Sequence, residues 1–299
     1  MNRLVAMAAV VGRLLMGTGP AYAPAGAPGH FAAIAQGVPR GHQIDPSYFE
    51  PGSCVSFRPT SASRGLTVFL DAGHGGIDPG AVGDTESGHT IFEADETLPM
   101  ELDTMALLRA RGFTVTVSRT RASTVARPRP GDVSGGAFTV RGSHRDVTAR
   151  DLCANLVKAD VLIGIYLNAG PSPFNAGCLT AYDAVRPFAA KSIRLARLVQ
   201  DDVLSSMNSH GWGIPDAGVV SDGTLGGPAL SAAAAAYRHL ALIGPADPGY
   251  VPHPSQMPGV IVEPLFITDP FEATIAASKV GQEAIAKGLA QAIEQYFGP

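Results

Sequence analysis

The sequence predicts an α/β fold, a single domain built on a mostly parallel, twisted sheet flanked by helices. Short apolar runs such as residues 66–70 (LTVFL) and 260–262 (VIV) have the length and composition of strands buried on both faces. Stretches with apolar residues at helical spacing alternate with them, which is the order of a sheet covered by helices. Hydrophobic residues make up 45% of the 299 and charged ones 16%, enough apolar side chain for a core and too little charge density for a disordered chain. With 35 glycines and 24 prolines, long connections within one large domain fit better than two domains.

Residues 1–23 read as an export signal: Asn2-Arg3 is a basic start, the following stretch is apolar apart from Arg13, and Ala21-Tyr22-Ala23 has a small-x-small cleavage pattern. The run is too short and too interrupted to span a bilayer, so no stable membrane insertion is expected after cleavage. Residues 24–63, rich in Ala, Gly and Pro, are expected to be a linker or an arm laid on the domain, and the fold proper to occupy 64–299.

Within that domain, the run 66–70 ends in Asp71 and a glycine cluster, the pattern of a strand feeding a functional loop. Leu98, Leu102, Met105 and Leu108 mark a helix that Gly112 terminates, and residues 113–117 (FTVTV) return as a strand. Such a strand-helix-strand unit requires a right-handed crossover and parallel pairing. Residues 127–143 are a loop by composition; a helix is expected over 147–157, strands over 161–167 and 179–182, and a helix over about 188–207. The Ala232–Ala236 run is helical by propensity, and Ile285, Leu289 and Ile293 form the inner face of a closing helix.

Charge and motif content narrow the function. With 22 Lys+Arg against 26 Asp+Glu the formal net charge is −4, which argues against a nucleic-acid partner. No G-x-S-x-G elbow occurs, and the Gly73–Gly76 cluster lacks the remaining glycine spacing or lysine of a nucleotide loop. Three cysteines exclude a CxxC knuckle; Cys153 and Cys178, flanking one expected strand, are candidates for a disulfide, a buried free thiol being the alternative.

In open α/β sheets ligands bind at the carboxyl ends of strands, and three polar segments reach one such edge: Asp71 to Gly76, Asn168, and Glu263. His74 stands between glycines that let the backbone bend and present an imidazole. Glu93 precedes the first helix and can reach back to His74, while Glu263 leaves an apolar strand, where burial raises a carboxyl pKa. A histidine, a carboxylate and a separate poised glutamate are the parts of a hydrolytic zinc site.

Residues 70–81 (LDAGHGGIDPGA), 93–98 (EADETL), 160–169 and 260–270 resemble, in order, the motifs of zinc-dependent N-acetylmuramoyl-L-alanine amidases of the Amidase_3 type, across about Arg64 to Phe297. The resemblance implies one Zn²⁺, held by His74 and Glu93, with Glu263 as the catalytic glutamate. It also implies cleavage of the amide joining the lactyl group of N-acetylmuramic acid to the L-alanine of the stem peptide, so that peptidoglycan or its muropeptides are the expected partners. With the signal-like start, the protein is expected to be exported to the cell wall, periplasm or exterior, and to be a monomer. Pro99 suggests a helix starting nearer Thr97, which leaves Glu96 as an alternative to Glu93.

The third ligand departs from the pattern: the family's histidine before an Asn-Ala pair is replaced by Tyr166 in Ile165-Tyr166-Leu167-Asn168-Ala169. A phenol of ordinary pKa near 10 is a poor ligand at neutral pH, so zinc is expected to bind more weakly. Tyr166 is therefore either a ligand or a donor to the developing oxyanion, and His144 or His253 is a candidate replacement ligand. His30 and His42 are expected in solvent, His210 and His239 near helix ends. The functional alternative is an amidase fold with an impaired metal site that binds peptidoglycan or a cell-wall partner without cleaving it.

Overall fold

The computed structural model describes residues 38–225 and 231–298. The expected export signal and His30 lie outside them. In chain order the elements are β1 (His42–Gln43), β2 (Ser53–Phe57), β3 (Thr67–Ala72), β4 (Val82–Asp84), β5 (Thr90–Phe92), α1 (Glu93–Ala110), β6 (Thr114–Arg119), β7 (Val133–Ser134), β8 (Ala137–Phe138), α2 (Val140–Leu156), β9 (Val161–Ile165), β10 (Cys178–Tyr182), α3 (Ala189–Asn208) and β11 (Asp216–Ser221). A 3-10 turn at Asp222–Thr224, α4 (Ala232–Tyr237), β12 (Gly259–Glu263), α5 (Pro270–Ala276) and α6 (Lys279–Phe297) complete the chain.

The main sheet has eight strands in the order β1-β2-β6-β3-β9-β12-β10-β11. Its centre is parallel, β6 with β3, β3 with β9, and β9 with β12, as the crossover argument requires. The flanks are mixed, since β2 pairs antiparallel with β6 and β10 antiparallel with β12. Side chains alternate across the central strands: Val68 and Leu70, Val161, Ile163 and Ile165, and Val260 and Val262 face one core layer with α1, α3 and α6. Phe69, Leu162 and Ile261 face the other, which holds α2 and the segments carrying Phe49, Leu242 and Met257. Burial on both faces is why these strands read as continuous apolar runs.

Several expectations are corrected. Residues 53–57, assigned to the linker or arm, form β2 inside the sheet, because Cys54, Val55 and Phe57 are buried against β6 and the layers beside it. The disulfide joins Cys54 to Cys153, not Cys153 to Cys178. Cys153 and Cys178 lie in opposite core layers, with the sheet between them, and Cys178 stays a buried free thiol. Helix α1 starts at Glu93 and runs through Pro99, whose missing amide removes only one intrahelical bond. Helix α2 starts at Val140, earlier than expected, because the Thr139 hydroxyl accepts from the Gly142 amide and caps it. No described helix is long and apolar enough to cross a membrane.

Candidate active site

Strand register builds the site. Ala72 of β3 and Val262 of β12 both pair with Ile165 of β9, so the three strands end in one row. The next residues continue it: the Gly73 amide donates to the Ile165 carbonyl at 2.9 Å and the Tyr166 amide to the Val262 carbonyl at 3.0 Å. Gly73, Tyr166 and Glu263 therefore stand side by side at the carboxyl rim, and His74 is one residue beyond.

His74 adopts a left-handed backbone, φ 59°, a conformation rare for a residue with a side chain. The glycines around it are there for close approach. A Cβ on Gly73 would lie 2.6 Å from the Tyr166 ring, and one on Gly80, itself at φ +69°, would lie 2.7 Å from both His74 and Glu93.

His74 and Glu93 meet at this rim. The Nε2 of His74 is 3.1 Å from Oε2 of Glu93, and its Nδ1 is 2.9 Å from Oδ2 of Asp78. Glu93 is buried at the start of α1, where Oε2 accepts from the Ala81 amide at 2.9 Å and Oε1 from the Leu167 amide at 2.9 Å. One carboxylate thus ties together the loop after β3, the end of β9 and the first turn of α1. Burial alone would lower the pKa of His74, but the charge of Glu93 and the hydrogen bond to Asp78 outweigh it and raise it to about 10. Despite its own burial, Asp78 is held below its ordinary value by the same contact. The two carboxylates therefore favour the protonated form of the ring.

Glu263 closes β12 beside them. Burial, reinforced by the negative charge of Glu93 and opposed by His74, pushes its pKa up to about 7. A carboxyl balanced between its two forms near neutrality is suited to taking and returning a proton.

The remaining candidates occupy the surroundings of this pair or lie apart from it. The Tyr166 hydroxyl donates to Oδ2 of Asp71 at 3.0 Å, and its ring meets His74 edge-on with centroids 5.6 Å apart. Asp71 is fully buried and ion-paired with Arg150, which also donates to the carbonyls of Ala72 and His74. Burial and the adjacent Asp71 charge push the Tyr166 phenol well above its ordinary pKa. Glu96 faces away, accepting from Gln282 of α6 at 3.0 Å, so it is Glu93 that stands beside His74. His144 lies on α2 with Nε2 2.6 Å from the Tyr250 carbonyl, and His253 is exposed; neither accompanies His74 and Glu93. Sequence reading missed Asp78. Its signal was the fixed spacing of four residues from His74 across a Gly-Gly turn, which brings the carboxylate back onto the ring.

The carboxyl rim of the α/β sheet thus carries an imidazole, a carboxylate and a second glutamate from three separate parts of the chain. The chain belongs to the Amidase_3 family, N-acetylmuramoyl-L-alanine amidase, whose model matches residues 68–295. The germination-specific N-acetylmuramoyl-L-alanine amidase of Bacillus subtilis (strain 168) is 25% identical over 243 residues, covering 81% of this chain and 84% of the relative. Among solved structures, the CwlD amidase of Clostridioides difficile, in complex with the GerS lipoprotein, aligns with a TM-score of 0.58 at 22% identity over 78% of this chain and 98% of that one. The amidase AmiC2 of Nostoc punctiforme aligns at 0.53 with 22% identity, over 79% and 99%. These structures share the fold.

Proposed function

We propose that the protein is an exported peptidoglycan hydrolase that cleaves the amide between N-acetylmuramic acid and the L-alanine of the stem peptide. The observation that carries the reading is that His74, after β3, Glu93, at the start of α1, and Glu263, at the end of β12, share one rim of the sheet in a chain of an amidase family.

The donor set fits two corners of a zinc site. His74 Nε2 and Glu93 Oε2 are 3.1 Å apart, close to the separation of about 3.3 Å expected for ligand atoms of a tetrahedral Zn²⁺. His74 and Glu93 would hold the ion, and Tyr166, whose hydroxyl is engaged by Asp71, would not. When bound, the ion supplies a Lewis acid that polarises the scissile carbonyl and acidifies water.

This chain's own residues do the rest. Asp78 on Nδ1 fixes the ring so that Nε2 faces Glu93. Glu263 takes the proton of the attacking water and delivers it to the leaving amine of the alanine, a cycle suited to a pKa of about 7. Export is supported by the signal-like first residues and by the Cys54–Cys153 disulfide, a bond of oxidising compartments. The protein is proposed to act as a monomer on peptidoglycan or its muropeptide fragments.

A second reading rests on the Tyr166 to Asp71 hydrogen bond, which takes the third ligand position out of the site: the protein binds peptidoglycan without cleaving it. Incubation of the purified protein with muropeptides separates the two. Release of stem peptide by the wild type but not by Glu263→Gln supports hydrolysis, and retention of uncleaved muropeptide supports the binder.

A further inference from the structure

At the other end of the sheet a second group of ligand-type side chains comes together. Asp183 directly follows β10, and because Tyr182 pairs with Val260 while Leu179 pairs with Glu263, it lies at the amino end of β12. The four residue steps from Leu179 to Asp183 put it about 13 Å from the rim that carries Glu263. Asp222 opens the 3-10 turn after β11, and His239 follows α4.

Both aspartates are almost fully buried. Each is oriented by backbone amides through one oxygen: Oδ1 of Asp183 accepts from Val185 at 2.8 Å and Arg186 at 2.9 Å, and Oδ2 of Asp222 accepts from Leu240 at 3.0 Å. The other oxygens converge on one imidazole nitrogen. His239 Nδ1 is 2.9 Å from Oδ2 of Asp183 and 3.4 Å from Oδ1 of Asp222.

A single N–H cannot satisfy both. The ring geometry gives a hydrogen bond to Asp222, and Oδ2 of Asp183, buried and 2.9 Å from the same nitrogen, accepts none. Among the described residues, His239 is the only basic side chain within ion-pair distance of either aspartate. The neighbouring Arg186 turns its guanidinium to the carbonyls of Gly244 and Ser255 instead. Two buried carboxylates thus face one imidazole, Arg186 acts on Asp183 only from beyond ion-pair distance, and Oδ2 of Asp183 is left without a hydrogen-bond partner. The three donor atoms all lie within 4.8 Å of one another, and the His239 side chain is 22% exposed, which leaves a way in for an ion and its waters.

We propose that Asp183, Asp222 and His239 form a site for a divalent first-row transition-metal ion, separate from the His74–Glu93 pair and on the opposite rim of the sheet. An ion seated among the three takes both free carboxylate oxygens and the Nδ1 lone pair, with the proton on Nε2. Imidazole with carboxylates selects Zn²⁺-like or Mn²⁺-like ions over Ca²⁺ or Mg²⁺. The backbone amides on the outer oxygens are the orienting contacts such ligands require. Bound there, the ion joins the end of β10, the turn after β11 and the segment after α4, and so fastens the excursion between β11 and β12 to the sheet.

The test uses the full chain, stripped with a chelator, re-equilibrated with Zn²⁺ and assayed for bound zinc and for thermal unfolding. Asp222→Asn and His239→Gln are each expected to bind one equivalent fewer than the wild type and to lose most of the Zn²⁺-induced rise in Tm, whereas Glu93→Gln retains that equivalent. Asp222→Asn preserves shape and the Leu240 contact, so it reports even if His239→Gln folds poorly. Unchanged stoichiometry in Asp222→Asn, or no zinc bound by the wild type, overturns the proposal. The readout is independent of hydrolysis, so an inactive protein that shows the expected loss still supports this site.

Discussion

At the scale of single residues, the proposed chemistry rests on Glu263. Replacing its carboxylate by an amide removes the proton acceptor while preserving shape, so Glu263→Gln is expected to lower kcat about 10²–10⁴-fold in a muropeptide hydrolysis assay. Metal content should not change, because the two donors that face each other are His74 and Glu93. Tyr166→His returns an imidazole to the place where the family carries one and is expected to raise zinc occupancy, measured by equilibrium dialysis. An unchanged occupancy would mean that this position does not look onto the metal. Gly73 makes the complementary point. An added methyl group meets the Tyr166 ring at 2.6 Å, so Gly73→Ala is expected to cost about 1–3 kcal/mol in denaturant unfolding, the usual range for overpacking.

At the scale of elements, the parts of the fold visible in the sequence are those whose burial is complete. β3, β9 and β12 are apolar on both faces and therefore stand out as uninterrupted runs, and the polar residues at their carboxyl ends are legible as a site because the strands themselves are. β11 carries Gly218 with φ +86° and is only half-buried, so neither periodicity nor composition marks it. β2 is hidden because its five residues, Ser-Cys-Val-Ser-Phe, neither alternate nor form an unbroken apolar run, and they sit in a stretch dominated by Ala, Gly and Pro. The disulfide partner of Cys153 is not legible, because sequence spacing says nothing about which face of the sheet a cysteine occupies. The group around His239 is illegible for a related reason: its members come from three separate elements, and each alone reads as a turn or cap residue. The Cys54–Cys153 bond closes a separation of 99 residues and fastens β2 to α2. Its removal by Cys54→Ser with Cys153→Ser is expected to lower unfolding free energy by about 2–5 kcal/mol, read from chemical denaturation.

At the scale of the whole molecule, buried acids set the response to pH. Glu101 is fully buried under the β3–β6 pair, with Oε1 accepting from Ala72 and Ser118 and Oε2 without a partner, and burial raises its pKa to about 8. A carboxyl whose folded pKa is raised favours the folded state while protonated. That contribution is complete below the unfolded value of 4.5 and is lost as pH rises through about 8. Stability is therefore expected to decline through this window, and Glu101→Gln, neutral at every pH, to flatten the decline in Tm measured between the two limits. A slope unaffected by the substitution would assign the pH response to other groups, Glu96 and Glu272 among them, each raised by burial to about 7.

The same scale holds the central claim, since the rim brings together residues from the loop after β3, from α1 and from β12 that lie as much as 189 positions apart in the chain (His74 to Glu263). Digestion of a defined muropeptide in ¹⁸O-labelled water, with mass spectrometry of the products, tests it most directly. The account predicts one ¹⁸O atom in the lactyl carboxylate of N-acetylmuramic acid and an unlabelled stem peptide with a free alanine amino group. Intact muropeptide after prolonged incubation, or label at a glycosidic or peptide bond instead, would contradict it.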